Sequence, residues 1–204
     1  MNYLAHAYLS FGNDEVLLGN MISDFVKGKK QFLYPPVVHK GILLHRAIDD
    51  FTDTHPVTQK AKSVFKTAYR LYSGAFIDVV YDHFLAIEQT AFANDGALFD
   101  FSQKTYKQLE KQMAIMPSAF ERMFSYMQSQ NWLYGYRTLP GIYQSFGGLV
   151  RRAAYLQDST PAIRIFDQHY NFLQSCFNEF WEDIRFFAFN KMNLLLSDNR
   201  TLPE

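Results

Sequence analysis

Large apolar side chains recur at intervals of three and four residues between positions 166 and 184, the spacing that lines up one face of an α-helix. The stripe consists of Phe166, Tyr170, Leu173, Phe177, Phe180 and Ile184. Because so much apolar surface is stable only when other elements cover it, the stripe predicts a core formed by several packed helices. A cofactor-binding role is the less favoured interpretation of the same pattern.

Residues that start and stop helices divide the remaining chain into further segments. Asn13 and Asp14 can cap a helix that runs through Phe25. Proline is tolerated in the first turn of a helix, which predicts further starts at Pro36, Pro117, Pro140 and Pro161. Helical segments are also expected over residues 74–91, 102–116 and 161–196, with a turn at 94–96. Alternating runs joined by hairpin turns do not occur, so we predict an all-α fold, a single domain over residues 1–204 with about seven or eight helices.

The composition narrows the setting in which such a protein works. Lys and Arg total 20, and Asp and Glu also total 20, so no global charge indicates nucleic acid or membrane as a partner. Cys176 is the single cysteine, which fits a reducing compartment and a buried structural thiol. No apolar run reaches the ~18 residues of a membrane span, and the first residues lack a signal-peptide pattern. We expect a cytoplasmic location.

Histidine and aspartate are concentrated in the first 83 positions, where five of the six histidines lie. His45 and Asp49 are four residues apart in a predicted helix and share one face, and Asp53 continues the line. An imidazole with one or two carboxylates on one face can bind a divalent cation. The simpler interpretation is a solvated face with an ordinary His–Asp hydrogen bond.

A second segment, residues 76–87, is apolar or aromatic except at Asp78, Asp82 and His83. Asp78 and Asp82 lie four residues apart and share a face, and a helix this apolar is expected to be largely buried. Buried carboxylates are costly unless they are paired or bind a metal. The segment therefore favours metal binding or catalysis, with a structural ion pair or a capping network as the alternative.

Two further segments contribute His6 and Asp24 from apolar surroundings. Taken singly, His6 is more typical of a hydrogen-bonded core residue, and Asp24 of a helix-end carboxylate. Helices can nevertheless converge such residues on one point, and mixed imidazole and carboxylate ligands suit Mn²⁺, Fe²⁺, Zn²⁺ or Mg²⁺. Such an ion polarises a phosphoryl oxygen and acidifies a bound water. Arg46 and Lys27 can neutralise phosphate charge, or be plain surface charges. The set predicts metal-assisted hydrolysis of a phosphoester.

Four ordered blocks of the sequence resemble the acyl carrier protein phosphodiesterase family, also called ACP hydrolases. The blocks cover residues 1–6, 19–28, 41–49 and 78–85, and residues 130–133 and 136–137 are similar to the family's second half. The resemblance implies cleavage of 4′-phosphopantetheine from holo-acyl carrier protein, dependence on a divalent cation with Mn²⁺ favoured, and an HD-like helical core, since the family is regarded as a distant relative of the HD-domain phosphohydrolases. Asp82-His83 departs from the His-Asp order of that superfamily, so its ligand roles cannot be transferred.

The residues and the resemblance together define the candidate site. The predicted catalytic residues are Asp24, His45, Arg46 and Asp82. The predicted metal ligands are His6, Asp24, His45, Asp49, Asp82 and His83. Asp78 and Asp53 are expected to orient their neighbours. The predicted substrate contacts are Lys27, Arg46, Arg151 and Arg152.

The implied substrate also predicts a docking surface. Acyl carrier protein is strongly acidic, so a basic patch is expected by charge complementarity. The candidates are a cluster of Lys27, Lys29 and Lys30 and the pair Arg151 and Arg152, although lysine and arginine clusters are commonly plain solvated faces. Two other functions stay open: a metal-dependent hydrolase of a small phosphoester such as a nucleotide, and a non-catalytic helical binding module. The sequence leaves the oligomeric state open.

Overall fold

Helices joined by short turns account for nearly all of the chain in the computed structural model, which describes residues 1–198. The α-helices are α1 (Tyr3–Tyr8), α2 (Asp14–Ile22), α3 (Pro36–Thr54), α4 (Pro56–Tyr69), α5 (Ser73–Ala86), α6 (Asp95–Glu110), α7 (Ser118–Ser129), α8 (Trp132–Gly135), α9 (Leu139–Arg152), α10 (Thr160–Gln168) and α11 (Tyr170–Ser197). Short 3-10 helices lie at Ser23–Phe25, Gly28–Leu33, Arg70–Tyr72 and Met113–Ile115. No β-strand occurs within residues 1–198, and the all-α prediction is confirmed.

The number of helices depends on how the short ones are counted. Seven α-helices have 12 residues or more, which corresponds to the number expected from the sequence. The others have four to nine residues and are too short to leave a periodic pattern of their own. The predicted starts are confirmed: the Asn13 side chain accepts hydrogen bonds from the first turn of α2 at 3.0 and 3.1 Å, and prolines occupy the first turns of α3, α9 and α10.

Several boundaries differ from the sequence-based expectation. Helix α2 ends at Ile22 rather than at Phe25, and helix α5 ends at Ala86 rather than at residue 91. The helix expected over residues 102–116 is α6, which runs over Asp95–Glu110. Residues 94–96 open α6 instead of forming a separate turn, because the Asn94 side chain accepts the Ala97 N–H at 3.0 Å and so caps the helix. The last segment is divided at His169 into α10 and α11. The apolar stripe crosses this division: Tyr170 is half-buried and its other members are buried, which confirms it as core.

Helices α2 and α3 touch backbone to backbone at two glycines. A Cβ atom on Gly19 would lie 2.0 Å from the carbonyl oxygen of Val38, and one on Gly41 would lie 2.4 Å from that of Val16. No other residue fits at such a distance, so the pair sets how closely the two helices pack. This contact also brings Asn20 of α2 against His45 of α3.

Helix α5 lies at the centre of the fold, in contact with α1, α4, α9 and α11. Buried residues from every α-helix belong to one continuous hydrophobic core. Polar side chains inside this core include Asn20 and Asp82, both fully buried, so each needs a hydrogen-bonding partner. None of the helices described between residues 1 and 198 combines the length and apolarity required to cross a bilayer.

Candidate active site

Two histidines and an aspartate meet where α1 packs beside α3. His6 Nε2 lies 3.1 Å from Oδ1 of Asp49, and His45 Nε2 lies 3.1 Å from Oδ2 of the same carboxylate. The ligand atoms of the three residues all fall within 4.8 Å of one another. The two imidazole rings are stacked with their centroids 3.9 Å apart. These residues form a possible His-His-Asp metal site, which we call the His6–His45–Asp49 cluster.

Asn20 fixes the protonation pattern of both rings. Its amide nitrogen donates to the carbonyl oxygen of His6 at 2.8 Å and to the hydroxyl of Ser10 at 3.1 Å. Its side-chain oxygen therefore faces His6 Nδ1, 2.8 Å away, and accepts the proton of that nitrogen. His45 Nδ1 in turn lies 2.7 Å from the backbone oxygen of Asn20, which can only accept. Both rings thus carry hydrogen on Nδ1.

This arrangement leaves the Nε2 atoms facing carboxylate oxygens. A neutral imidazole with hydrogen on Nδ1 has only a lone pair at Nε2. Lone pairs and carboxylates repel one another unless a proton or a metal ion lies between them. The Nε2 atom of His45 is buried and has no well-aligned hydrogen bond, although two carboxylates lie near it. The geometry therefore fits a cation, and the hydrogen bonds at Nδ1 are the usual supports of metal-binding histidines.

The two histidines titrate very differently. Burial lowers the pKa of His6 to about 4, and the neighbouring charge on His45 acts in the same direction. Burial also disfavours the charged form of His45, but the neighbouring carboxylates of Asp24 and Asp49 raise its pKa to about 9. Asp49 is half-buried, which disfavours its charged form, yet the amino group of Met1 and then His6 hold its pKa well below the usual range. At neutral pH His45 is therefore protonated on both ring nitrogens, whereas His6 is protonated only on Nδ1.

Asp24 closes the cluster on the solvent side. It lies in the 3-10 turn after α2, with Oδ1 3.4 Å from His45 Nε2 and a side chain that is 69% exposed. The interaction with His45 lowers the pKa of Asp24, so its carboxylate is ionised at neutral pH. Because this exposed carboxylate lies beside two buried histidines and the half-buried Asp49, the cluster is open to a substrate on that side.

Asp78 and Asp82 share one face of α5, as predicted, and that face is turned towards the start of α1. Asp78 pairs with the amino group of Met1 at 2.9 Å. Asp82 accepts the backbone N–H groups of Leu4 and Ala5 at 2.8 and 3.1 Å. Burial raises the pKa of Asp82 to about 7, against the effect of these two hydrogen bonds. Asp82 thus caps the helix that carries His6, and the structure does not place its carboxylate among the cluster atoms.

His83 points away from the cluster. Its Nδ1 lies 2.7 Å from the carbonyl oxygen of Tyr136, and its Nε2 lies 3.0 Å from the hydroxyl of Tyr170. Successive residues of an α-helix point about 100° apart, so a helix that turns Asp82 towards α1 turns His83 towards α8–α11. Both ring nitrogens are used in these contacts, and His83 joins no ligand group in the described part of the chain.

Two cavities meet at Asp24 and Asp49, which line both. The smaller, of about 410 Å³, also includes Lys27 and Arg46. The guanidinium of Arg46 donates to Gln31 Oε1 at 2.7 Å and to the Val26 oxygen at 3.2 Å, which ties the segment after Asp24 to α3. The larger cavity, of about 870 Å³, runs towards α7 and α9 and is lined by Arg151 and Arg152. We call the larger one the α7–α9 cleft.

Several residues of this region were not predicted. Asn20 could have been recognised in the sequence, because it is a polar residue inside an otherwise apolar segment. Arg122 lines the α7–α9 cleft, but in the sequence it looks like an ordinary residue of an amphipathic helix. Trp132, which also lines the cleft, and Tyr3, which hydrogen-bonds to Met123 Sδ at 3.2 Å, lie in stretches that resemble the family, but no role was predicted for either.

Sequence comparison finds relatives along most of the chain. A family model described as acyl carrier protein phosphodiesterase matches residues 1–184. A protein named acyl carrier protein phosphodiesterase from Yersinia pestis is 35% identical over 181 residues, which cover 89% of this chain and 94% of the relative. One of the same name from Enterobacter sp. (strain 638) is 32% identical over 191 residues, which cover 94% of this chain and 99% of the relative. No solved structure matches significantly.

Proposed function

The chain belongs to the acyl carrier protein phosphodiesterase family, and from that membership we propose that it hydrolyses the phosphodiester between holo-acyl carrier protein and 4′-phosphopantetheine. The products are the apo-carrier and free phosphopantetheine. One observation carries the metal dependence of this proposal: the Nε2 atoms of two imidazoles and two carboxylates converge, and His45 Nε2 has no well-aligned hydrogen bond. The single thiol of Cys176 is compatible with a cytoplasmic location for the reaction.

The groups that would hold the cation are Nε2 of His6, Nε2 of His45 and the carboxylates of Asp49 and Asp24. Mixed nitrogen and oxygen donors of this kind suit Mn²⁺, and also Fe²⁺, Zn²⁺ or Mg²⁺; Mn²⁺ is our first candidate. When bound, such an ion polarises a phosphoryl oxygen and acidifies water. Asn20 keeps both Nε2 atoms free to act as ligands, since it holds the hydrogens at Nδ1.

The remaining side chains have supporting parts in the proposal. Arg46 and Lys27 place positive charge in the smaller cavity beside Asp24, where a phosphate oxygen can be bound. Arg151 and Arg152 do so in the α7–α9 cleft. Asp82 is assigned a positioning part, because it caps α1.

The decisive measurement is the mass of holo-acyl carrier protein before and after incubation with the enzyme and Mn²⁺. We expect the carrier to lose the mass of phosphopantetheine less one water, because hydrolysis adds a water molecule. A chelator should stop this loss, and Mn²⁺ should restore it. His45→Gln should stay folded but lose both metal binding and activity. His55→Gln is the matched control, because His55 contacts Asp183 rather than the cluster.

Three outcomes separate the proposal from its alternatives. An intact carrier at high enzyme concentration would overturn it. Hydrolysis of nucleotides without action on the carrier would favour a hydrolase of small phosphoesters. A folded protein that contains no metal, acts on neither substrate and is destabilised by Asp82→Ala would favour a helical binding module.

A further inference from the structure

The α7–α9 cleft begins at Asp24 and Asp49 and extends about 870 Å³ away from the cluster. We propose that it binds the pantetheine arm of the substrate, with the phosphodiester at the cluster end. The inference rests on the proposed function and assigns a site for the part of the substrate that is not hydrolysed. A cavity of this volume falls within the range that encloses whole small-molecule ligands.

The acidic and basic residues that line the cleft belong to different elements of the fold. Asp24 lies in the 3-10 turn after α2, Asp49 in α3 and Asp78 in α5. Arg122 comes from α7, and Arg151 and Arg152 come from α9; none of the three forms a salt bridge with a carboxylate in residues 1–198. Guanidinium groups without carboxylate partners are suited to bind phosphate oxygens. A ligand with one anionic end and an uncharged remainder matches this lining.

The cleft is also lined by aromatic and apolar side chains. Trp132 has its indole N–H bound to Gln130 at 2.9 Å, so its ring is held while a face stays half-exposed. Tyr126 is 62% exposed, and Leu149 is half-buried. Pantetheine consists of a dimethyl-substituted carbon, a hydroxyl, two amides and a terminal thiol, and it is uncharged. It can lie against such side chains without leaving a buried charge unpaired.

A phosphodiester has two ester arms, and two cavities meet at the cluster. If the pantetheine arm extends into the α7–α9 cleft, the ester to the carrier's serine points towards the smaller cavity. Lys27 lines that smaller cavity, and Lys29 and Lys30 are exposed on the same segment. The bulky acidic carrier therefore stays outside, where positive charge and open surface are available.

Gly148 offers a way to fill the cleft without disturbing the fold. It lines the cleft from within α9, and a Cβ there would meet only Arg151 Nη2, at an ordinary 3.8 Å. Leucine also has a higher helix propensity than glycine. Gly148→Leu should therefore fold and keep its metal site, but block the arm. Gly135→Leu is the matched control, because a Cβ on Gly135 meets nothing within 4 Å and the residue does not line the cleft.

The experiment measures binding and turnover separately. Free 4′-phosphopantetheine is titrated into the metal-loaded protein while tryptophan fluorescence is followed. The signal should come from Trp132, since Trp181 is only 2% exposed, and Trp132→Phe should remove it. We expect Gly148→Leu to weaken binding and to raise KM for holo-carrier at least about tenfold, with kcat changed less than about threefold. Gly135→Leu should match the unsubstituted protein.

Each failure has its own signature. If the unsubstituted protein does not act on holo-carrier, the proposed function fails, and the titration still tests the cleft. If it acts on holo-carrier while Gly148→Leu binds phosphopantetheine equally well and has the same KM, the assignment of the cleft is overturned. Binding of AMP with equal or higher affinity, blocked by Gly148→Leu, would also overturn it, since it would indicate a nucleotide site.

Discussion

Binding of a divalent cation at the cluster should release one proton near neutral pH. His45, with a pKa of about 9, is protonated there, whereas His6, with a pKa of about 4, is already neutral. The pKa values of Asp24 and Asp49 lie below their usual range, so neither carboxyl has a proton to lose. A metal ligand must be deprotonated, and the proton on His45 Nε2 occupies the position that a bound cation would take.

The size of the effect follows from this count. Because one proton is displaced, the apparent metal affinity should rise about tenfold, or about 1.4 kcal/mol, for each unit by which the pH is increased. This holds while the pH is below the pKa of His45. The increase should level off above about pH 9. Because the other three ligands do not titrate between about pH 5 and 9, the slope should stay close to one proton across that interval.

The metal-free protein should change in the opposite direction. The pKa of His45 is raised above its unfolded value of 6.5, so its contribution to stability is complete below about pH 6.5 and is lost as the pH rises through about 9. The metal-bound protein lacks that proton at every pH in this range. The difference in melting temperature between the two forms should therefore widen as the pH rises.

Calorimetric titration with Mn²⁺ in two buffers of different ionisation enthalpy counts the released protons directly. We expect about one proton at about pH 7, and the same count for His55→Gln. An affinity that is equal at about pH 7 and about pH 8, or a count near zero, would refute the reasoning, because it would mean that no proton lies between His45 and the carboxylates.

Three further substitutions test how the cluster is supported. Asp82→Ala leaves two buried N–H groups of α1 unsatisfied and should lower the free energy of unfolding, measured with urea, by about 2–6 kcal/mol. The control is Asp53→Ala, which removes an exposed ion pair and should change the free energy of unfolding by less than about 1 kcal/mol. Asn20→Ala should weaken metal binding about 10–100-fold in a metal titration, and an unchanged affinity would contradict its assigned part. Gly19→Ala should lower the melting temperature, because its Cβ would lie 2.0 Å from a backbone oxygen, whereas Gly135→Ala should not.

The part of the site that could be predicted is the part set by local geometry. His45 and Asp49 share a helix face because they lie four residues apart, and the structure brings their side chains to 3.1 Å. Asp78 and Asp82 share a face for the same reason. Helical spacing does not predict which groups of the folded protein contact that face. A buried carboxylate can be satisfied by a metal or by a helix N-terminus, and Asp82 has the second.

Convergence between distant segments is the part that sequence alone could not give. His6 reaches Asp49 only because α1 packs beside α3, held by Asp82 from α5 and by Asn20 from α2. Asn20 is an amide and is not among the usual metal ligands, so a search for histidine and carboxylate passes over it. Arg122 lies on an amphipathic helix, and the sequence does not distinguish an arginine that lines a cleft from any other exposed arginine. The relation to HD-domain phosphohydrolases stays a prediction.

The charges of the cluster and of Asp24 explain why arginines are needed around them. Without metal, two carboxylates and one protonated imidazole leave one net negative charge. Replacing the proton with a divalent cation makes the group of ligands and metal neutral. A neutral centre can polarise a phosphoryl oxygen, but it does not attract the negative charge of a phosphodiester from solution. That attraction must come from cations outside the cluster, and Arg46, Arg151 and Arg152 line the two cavities that meet there. Substituting these arginines should therefore raise KM more than it lowers kcat, whereas loss of Asp49 should abolish turnover and metal binding together.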